Sequence, residues 1–243
     1  RIVGITGSNG KTTTKDMTAA VLAARYRVHK TQGNLNNHIG LPLTLLALAA
    51  DTEFAVVEMG MSGRGEIELL SAIARPDAAV ITNIGDAHLL QLGSREEIAR
   101  AKLEIAAGLA EGGTLVIPGD EPLIENMLRD NPTYQRYRIV RFGGVTGDLR
   151  LEAVRLSHDS TRFCVNGSDR WFTIPMLGKH NANNALAAIL VGRRFGVGED
   201  DIEAALRGFT PSGMRLERVK GKNGTTLWND AYNANPTSMR AAI

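Results

Sequence analysis

The sequence predicts an α/β fold: a mostly parallel sheet flanked by helices, with a small antiparallel sheet on one flank. Three observations predict it. Short β-rich apolar runs alternate with stretches of helical periodicity through residues 1–146, a pattern of strands buried on both faces of a parallel sheet. A glycine-containing loop joins the first of these runs to the first helical stretch. From Gly147 the texture changes to short alternating segments separated by turn residues such as Asn166-Gly167, which is how antiparallel hairpins read.

The elements follow in order. Ile2–Thr6 opens the sheet and a helix is expected over 12–24. Strands are predicted at 54–59, 78–83, Thr114–Pro118 and Arg138–Phe142, with helices between them at 67–74, 95–110 and 121–129. In such a layered fold, ligands gather at the carboxyl ends of the strands. Segments 149–156, Thr161–Val165 and Trp171–Ile174 form the small sheet over 147–176. Helices at 181–194 and 200–207 then lead to a β-like stretch through Leu227-Trp228. Neither internal repeats nor a low-complexity linker interrupts the chain.

Bulk properties narrow the function classes. With 43% hydrophobic and 22% charged residues over 243 positions, the composition is that of an ordinary globular protein. A net charge of +2 demands neither nucleic acid nor an anionic membrane as partner. A solitary Cys164 forms no internal disulfide and fits a reducing cytoplasm; it is expected to be a small, buried or half-buried residue of the flanking sheet. No apolar run reaches the ~20 residues needed to span a bilayer. The first residue is Arg1, and the last residues read as the start of a helix, so the chain is expected to be part of a longer protein.

The loop Gly7-Ser8-Asn9-Gly10-Lys11-Thr12-Thr13 carries the clearest chemistry. Gly7 and Gly10 let the backbone turn tightly so that successive N–H groups face an anion, and the helix that follows adds the positive end of its dipole. Lys11 is placed for the β- and γ-phosphates of ATP and the Thr12 hydroxyl for Mg²⁺. The strict G-x-x-x-x-G-K-[ST] spacing would need glycine where Ile5 stands.

Phosphoryl transfer also needs acidic and polar groups opposite such a loop. Glu58 ends a buried strand beside Gly60, where a carboxylate is costly unless metal or another partner takes it; the alternative is an acid that turns into solvent. Thr82-Asn83-Ile84-Gly85-Asp86-Ala87-His88 offers Asn83 and His88 at the end of another strand, on the same predicted edge as Glu58. A lone histidine is otherwise a structural residue. Lys102, placed early in the predicted 95–110 helix, reads by itself as a solvated surface lysine. Asn181 and Asn184, at i and i+3 of one helix, read as a cap and its neighbour.

Taken together, eight strings in colinear order change that reading. The loop itself, Gly33-Asn34-Leu35-Asn36-Asn37-His38-Ile39-Gly40-Leu41-Pro42, Val57-Glu58-Met59-Gly60, Asn83 to His88 and Ala101-Lys102-Leu103-Glu104-Ile105 cover the first half. Gly178-Lys179-His180-Asn181-Ala182-Asn183-Asn184-Ala185, Met214-Arg215-Leu216-Glu217 and Asn229-Asp230-Ala231-Tyr232-Asn233-Ala234-Asn235-Pro236 cover the second. This set closely resembles the Mur ligases, and the 33–42 string resembles those that add D-alanyl-D-alanine. The one-residue departure from the strict loop spacing is itself the Mur form.

The resemblance implies a three-domain cytoplasmic enzyme, monomeric by family expectation, of which 1–235 is the central ATPase. Residues 236–243 would begin a C-terminal domain, and the N-terminal UDP-sugar domain would lie outside the chain. It implies an ATP-dependent amide ligase of peptidoglycan precursor synthesis, with UDP-N-acetylmuramoyl-tripeptide and D-alanyl-D-alanine as partners. It further implies two Mg²⁺ ions, with Thr12, Glu58, His88 and a CO₂-derived carbamate on Lys102 at the metal sites. Arg215 would lie near the transferred phosphate, His180, Asn181 and Asn184 near the adenine, and Asp230 near the ribose. Another Mur or folylpolyglutamate synthase-like ligase, or an ATP-binding module without ligase activity, remains as an alternative.

Overall fold

A computed structural model describes residues 1–213, 217–232, 234 and 239. The element order begins β1 (Ile2–Thr6), α1 (Lys11–Ala23), β2 (Val28–Lys30), α2 (Gly40–Leu46), β3 (Phe54–Glu58), α3 (Glu66–Ala74), β4 (Ala78–Ile81), α4 (Leu89–Leu92) and α5 (Arg95–Leu103). It continues β5 (Thr114–Pro118), α6 (Pro122–Asp130), β6 (Arg138–Phe142), β7 (Leu151–Leu156), β8 (Thr161–Val165) and β9 (Trp171–Ile174). Then come α7 (Lys179–Arg194), α8 (Glu199–Gly208), β10 (Glu217–Lys220) and β11 (Thr226–Asn229).

The described residues form a six-stranded sheet in the order β2-β3-β1-β4-β5-β6, and every pair in it is parallel. Its strands are buried on both faces because alternate side chains serve two separate cores. Val3, Ile5, Val56, Val80 and Val116 pack with α1 and α7 on one face. Ala55, Val57, Ala79, Ile81 and Ile117 pack with α3 and α5 on the other. The register Ile5↔Glu58 and Thr6↔Ile81 brings the carboxyl ends of the three central strands level. That shared edge is where the glycine loop leaves β1.

The three-stranded antiparallel sheet β7-β8-β9 joins the same core. Phe163 and Phe172 pair across β8 and β9 with their rings stacked 5.6 Å apart, and both pack in the cluster that contains α7. Cys164 is half-buried there. The predicted strand 149–156 begins two residues later. Leu149 instead makes an isolated bridge to Phe142, which ties the small sheet to the large one.

Two predicted features need correction. The helix expected over 95–110 ends at Leu103 and tightens into a 3-10 turn at Glu104–Ala106. Ser71 of α3 causes this locally, because its hydroxyl donates to Ile105 O and accepts from Gly108 N. A Cβ on Gly108 would stand 2.0 Å from Ser71 O, so the chain there is pressed against α3. Lys102 therefore sits at the end of a helix rich in charge, not early in a long apolar one. β2, α2, α4 and β10 are not predicted from the sequence; each spans seven residues or fewer.

α1 and α7 lie close enough that a Cβ on Gly192 would come within 2.5 Å of Val21 Cγ1 and 3.2 Å of Ile202 Cδ1. Gly192→Val should overpack this seam and cost about 1–3 kcal/mol, measured as a lower urea midpoint. An unchanged midpoint would show that the seam is looser than this packing requires.

Candidate functional site

The loop from Gly7 to Gly10 is held in its conformation by its neighbours. Gly7 adopts φ 146° and Gly10 φ 77°. A Cβ at Gly7 would overlap Thr82 Oγ1 at 1.8 Å, and one at Gly10 would meet Asn184 Oδ1 at 2.6 Å. The loop backbone is stitched to the segment after β4: Ser8 N donates to Asn83 O at 3.1 Å and Asn9 N to Asn83 Oδ1 at 3.0 Å. Gly85 N donates to Ser8 Oγ at 2.9 Å, and Thr82 Oγ1 donates to Asn9 O. α1 begins at once with no acidic residue of its own in its first turn, so the positive end of its dipole faces the loop.

Lys11 donates from Nζ to Gly7 O at 2.8 Å, so its ammonium lies over the loop. Thr12 donates from Oγ1 to Glu58 Oε2 at 2.8 Å, and Asn36 Nδ2 donates to the other carboxylate oxygen, also at 2.8 Å. Glu58 is 3% exposed and does not turn into solvent; these donors make burial of its charge tolerable.

These groups line one cleft of about 640 Å³ at the sheet's carboxyl edge, a volume within the range of small-molecule sites. Ser8 to Thr13, Glu58, Asn83, His88, His180, Asn181, Asn184 and Asp230 all border it. Asn181 and Asn184 are both buried. Asn184 Nδ2 donates to Asn181 Oδ1, and Asn181 Nδ2 to Leu177 O, so they form a fixed polar wall and not a simple helix cap. Gly7 and Lys102 do not border the cleft. Arg215 lies outside the described residues, as do Asn233, Asn235 and Pro236.

Buried basic groups shape the electrostatics. Lys102 is 1% exposed, so it is no surface lysine. Burial, reinforced by the nearby charge of Lys11, holds its amine well below the ordinary lysine range, against the opposing pull of Glu104 and Glu66. His88 takes the left-handed φ of 66° that few residues other than glycine adopt. Burial keeps its imidazole below the usual histidine value, with Lys102 and Lys11 adding to the effect and Glu66 opposing it. Burial likewise lowers His180, against the charge of Asp230.

Several cleft residues are not predicted as site residues from the sequence. Asn36 and Asn37 belong to the 33–42 string, whose run of asparagines was the available signal. Asn37 Oδ1 accepts from Gly40 N and shapes the start of α2. Glu66 gives no local signal beyond an acid at a helix start. Asp120 lines the far end, where Val145 N and Thr146 N hold its carboxyl below the usual carboxylate range.

The donor set limits what metal the cleft can hold. Among the described residues, no group of three His, Cys, Asp or Glu side chains converges. One carboxylate and one hydroxyl, with phosphate oxygens and water completing the shell, suit Mg²⁺ and not a protein-caged metal. Glu58 and Thr12 therefore fit that ion beside a bound phosphate chain.

The chain matches the Mur ligase middle domain over residues 5–192. It belongs to the Mur ligase family. A relative from Bacillus subtilis (strain 168), UDP-N-acetylmuramoyl-tripeptide--D-alanyl-D-alanine ligase, is 55% identical over all of this chain and 52% of its own length. Among solved structures, a crystal structure of MurF from Acinetobacter baumannii matches all of the chain and 53% of that protein, with TM-score 0.93 and 35% identity. MurF from Thermotoga maritima in complex with ADP matches 99% of this chain and 55% of that one, with TM-score 0.86 and 33% identity. This Mur ligase chain thus spans about half the length of the relatives it matches. Among its described residues, no helix is long and apolar enough to cross a membrane.

The buried Lys102 amine makes a sign-definite prediction. Its folded pKa is lowered, so between that value and the ordinary lysine value the unfolded chain binds more protons. The cost of burying Lys102 is full below the lowered value and fades as pH rises to the ordinary one. Lys102→Met should therefore raise the urea midpoint at pH 7 in CO₂-free buffer, with a gain that shrinks toward pH 10. A midpoint that falls, or a gain independent of pH, would contradict the assigned burial cost.

Proposed function

We propose that this chain is the ATP-binding unit of a ligase that joins D-alanyl-D-alanine to UDP-N-acetylmuramoyl-tripeptide. The observation that carries the nucleotide half is the glycine loop with Thr12 Oγ1 on Glu58 Oε2 at 2.8 Å. The substrate half is supported by 55% identity to the Bacillus subtilis relative of that name. The parallel core 1–146, the small sheet 147–176 and the helices and closing strands of 177–235 form this unit. In the complete ligase, domains that hold the UDP-sugar and the incoming dipeptide complete the site, and the ligase works as a cytoplasmic monomer.

The chemistry begins with a carboxylate that resists attack by amines. The terminal carboxylate oxygen of the tripeptide attacks the γ-phosphorus of ATP, ADP leaves, and an acyl phosphate forms. The amine of D-alanyl-D-alanine then adds to the acyl carbon, and collapse of the tetrahedral intermediate expels phosphate and leaves the amide. No protein nucleophile is required.

The chain's residues bind and neutralise. Gly7, Ser8, Asn9, Gly10 and Thr13 shape the cradle for the phosphates: the N–H groups of Ser8 and Asn9 bind Asn83 and fix the loop, and the first turn of α1 presents its backbone N–H groups and the helix dipole. Lys11 and Arg215 offset the charge gathered between γ-phosphate and carboxylate. Asn83 fixes the loop, His180, Asn181 and Asn184 border the adenine, and Asp230 meets the ribose. Thr12, Glu58, His88 and carbamylated Lys102 would hold two Mg²⁺ ions, which supply Lewis-acid neutralisation of the phosphoryl oxygens when bound. The lowered Lys102 amine supports the carbamate: only a neutral amine adds to CO₂, forming an N–C bond and losing a proton to give a carboxylate-like anion.

Calorimetry with the 243-residue chain should detect ATP binding that requires Mg²⁺. Lys11→Ala should weaken it by about tenfold or more, as loss of charge-assisted hydrogen bonds to phosphate predicts. The chain alone should ligate nothing, since nothing in it positions both substrates. The complete ligase should incorporate D-alanyl-D-alanine in a mass-spectrometric assay. Equal ATP affinity in the Lys11→Ala variant would sink the loop assignment, and incorporation of single amino acids alone would sink the substrate assignment.

A further inference from the structure

The backbone of Glu58 is held in an unusual way. β2 pairs with β3 as far as Lys30↔Val56, and Thr31 N then donates to Val56 O at 3.0 Å. In a regular parallel ladder the next bond would run from Glu58 N to Thr31 O. Instead Thr31 Oγ1 accepts from Glu58 N at 3.0 Å. The Thr31 carbonyl is thereby released to α1, where it accepts from Lys15 Nζ at 3.0 Å. Lys15 and Thr12 are three residues apart on that helix and share a face. The Thr12 hydroxyl in turn donates to the Glu58 carboxylate. A closed ring results, from Thr12 to the Glu58 side chain, through the Glu58 amide and Thr31 to Lys15, and back along α1.

The ring lies behind the cleft wall. Thr31 is 0% and Lys15 2% exposed, and neither borders the cleft. Burying a lysine is costly without a counter-charge, and Asp16 supplies one with Oδ1 3.4 Å from Lys15 Nζ. Asp16 Oδ1 also accepts from Lys30 Nζ at 2.7 Å and Oδ2 from Ser212 Oγ at 2.6 Å. Burial pushes the Asp16 carboxyl up, but those hydrogen bonds and the lysine charges outweigh it and hold it below the usual range. A buried polar network whose members are satisfied makes a rigid, specific arrangement. What this one makes rigid is the placement of the Glu58 backbone relative to Thr12.

We propose that Lys15 is a positioning residue: through Thr31 it fixes Glu58 against Thr12, so that carboxylate and hydroxyl stand ready as a pair for Mg²⁺. This inference rests on the assignment of Glu58 and Thr12 to that ion made above. Lys15 touches neither nucleotide nor metal, and its effect passes through the Thr31 carbonyl and hydroxyl.

Calorimetry of ADP binding to the complete ligase, with saturating Mg²⁺ and again in EDTA, tests it. The variants are Lys15→Met, Thr31→Val, Thr31→Ser, Glu58→Gln and the double variant Thr31→Val/Glu58→Gln. Lys15→Met and Thr31→Val should each weaken binding with Mg²⁺ by about tenfold, the scale of one buried hydrogen bond. Binding in EDTA should change less than about twofold. Thr31→Ser, which keeps the hydroxyl, should bind as the parent does. In the Glu58→Gln background, Thr31→Val should add less than about twofold, because residues acting through one contact are not additive. Equal weakening with and without Mg²⁺ would overturn the inference, as would a Thr31→Val variant with a lowered Tm and unchanged affinity for ADP with Mg²⁺. If Glu58→Gln itself kept full affinity with Mg²⁺, the Glu58 assignment would fail and this inference with it. A weakened Glu58→Gln beside an intact Thr31→Val would overturn the inference alone. Thr31→Val decides the matter even where the buried Lys15→Met change prevents folding.

Discussion

The site depends on one steric constraint, the seat of the Gly7–Gly10 backbone between the ends of β4 and α7. Thr82 occupies the place where a Gly7 side chain would lie, and Asn184 occupies the place for a Gly10 side chain. With both positions filled by neighbours, the loop has little freedom to relax, and the bonds to Asn83 and Gly85 hold it from the β4 side. An anion site made of backbone N–H groups needs this rigidity, because donors that must first be ordered give up part of what they gain on binding. The rest of the architecture delivers the pieces: parallel register puts Glu58, Thr82 and the loop on one edge, and the α1–α7 seam brings Asn184 against the loop.

Around that seat the charges are layered. Lys11 lies over the loop and Glu58 with Thr12 lies beside it, both at the cleft. Lys102 is buried and its amine is held well below the ordinary lysine range. On the core side, Asp16 balances Lys15 and Lys30. A site that gathers cations for a triphosphate carries self-repulsion before its ligand arrives. Lowering the Lys102 amine and pairing the lower lysines with one acid both reduce that repulsion without removing positive charge from the cleft itself.

How much of this was legible follows the range of each signal. The glycine loop is a local motif, so Gly7, Gly10, Lys11 and Thr12 announce themselves, and strands such as Phe54–Glu58 are legible because both faces are apolar. β2 is three half-buried residues with His29 and Lys30 among them, too short and too polar to read as a strand. Lys102 reads as a surface lysine because a lone lysine in a mainly apolar helix is ordinarily solvated. Its burial is a tertiary fact; the family resemblance implies a role for Lys102 and says nothing of its burial. The end of α5 is set by Ser71, more than thirty residues earlier, and the Asn36–Glu58 and Asp120–Val145 bonds join segments that only the topology brings together. Local chemistry was readable; contacts between segments were not.

The central claim is that the glycine loop, with Glu58 across from it, holds a Mg²⁺-bound nucleotide. A crystal structure of the chain with a non-hydrolysable ATP analogue and Mg²⁺ tests it most directly. The account predicts the phosphate chain on the loop's N–H groups, Lys11 Nζ on the terminal phosphates, and the metal between Thr12 Oγ1 and Glu58. A nucleotide bound elsewhere, or one that leaves the Thr12–Glu58 pair untouched by metal, would contradict it.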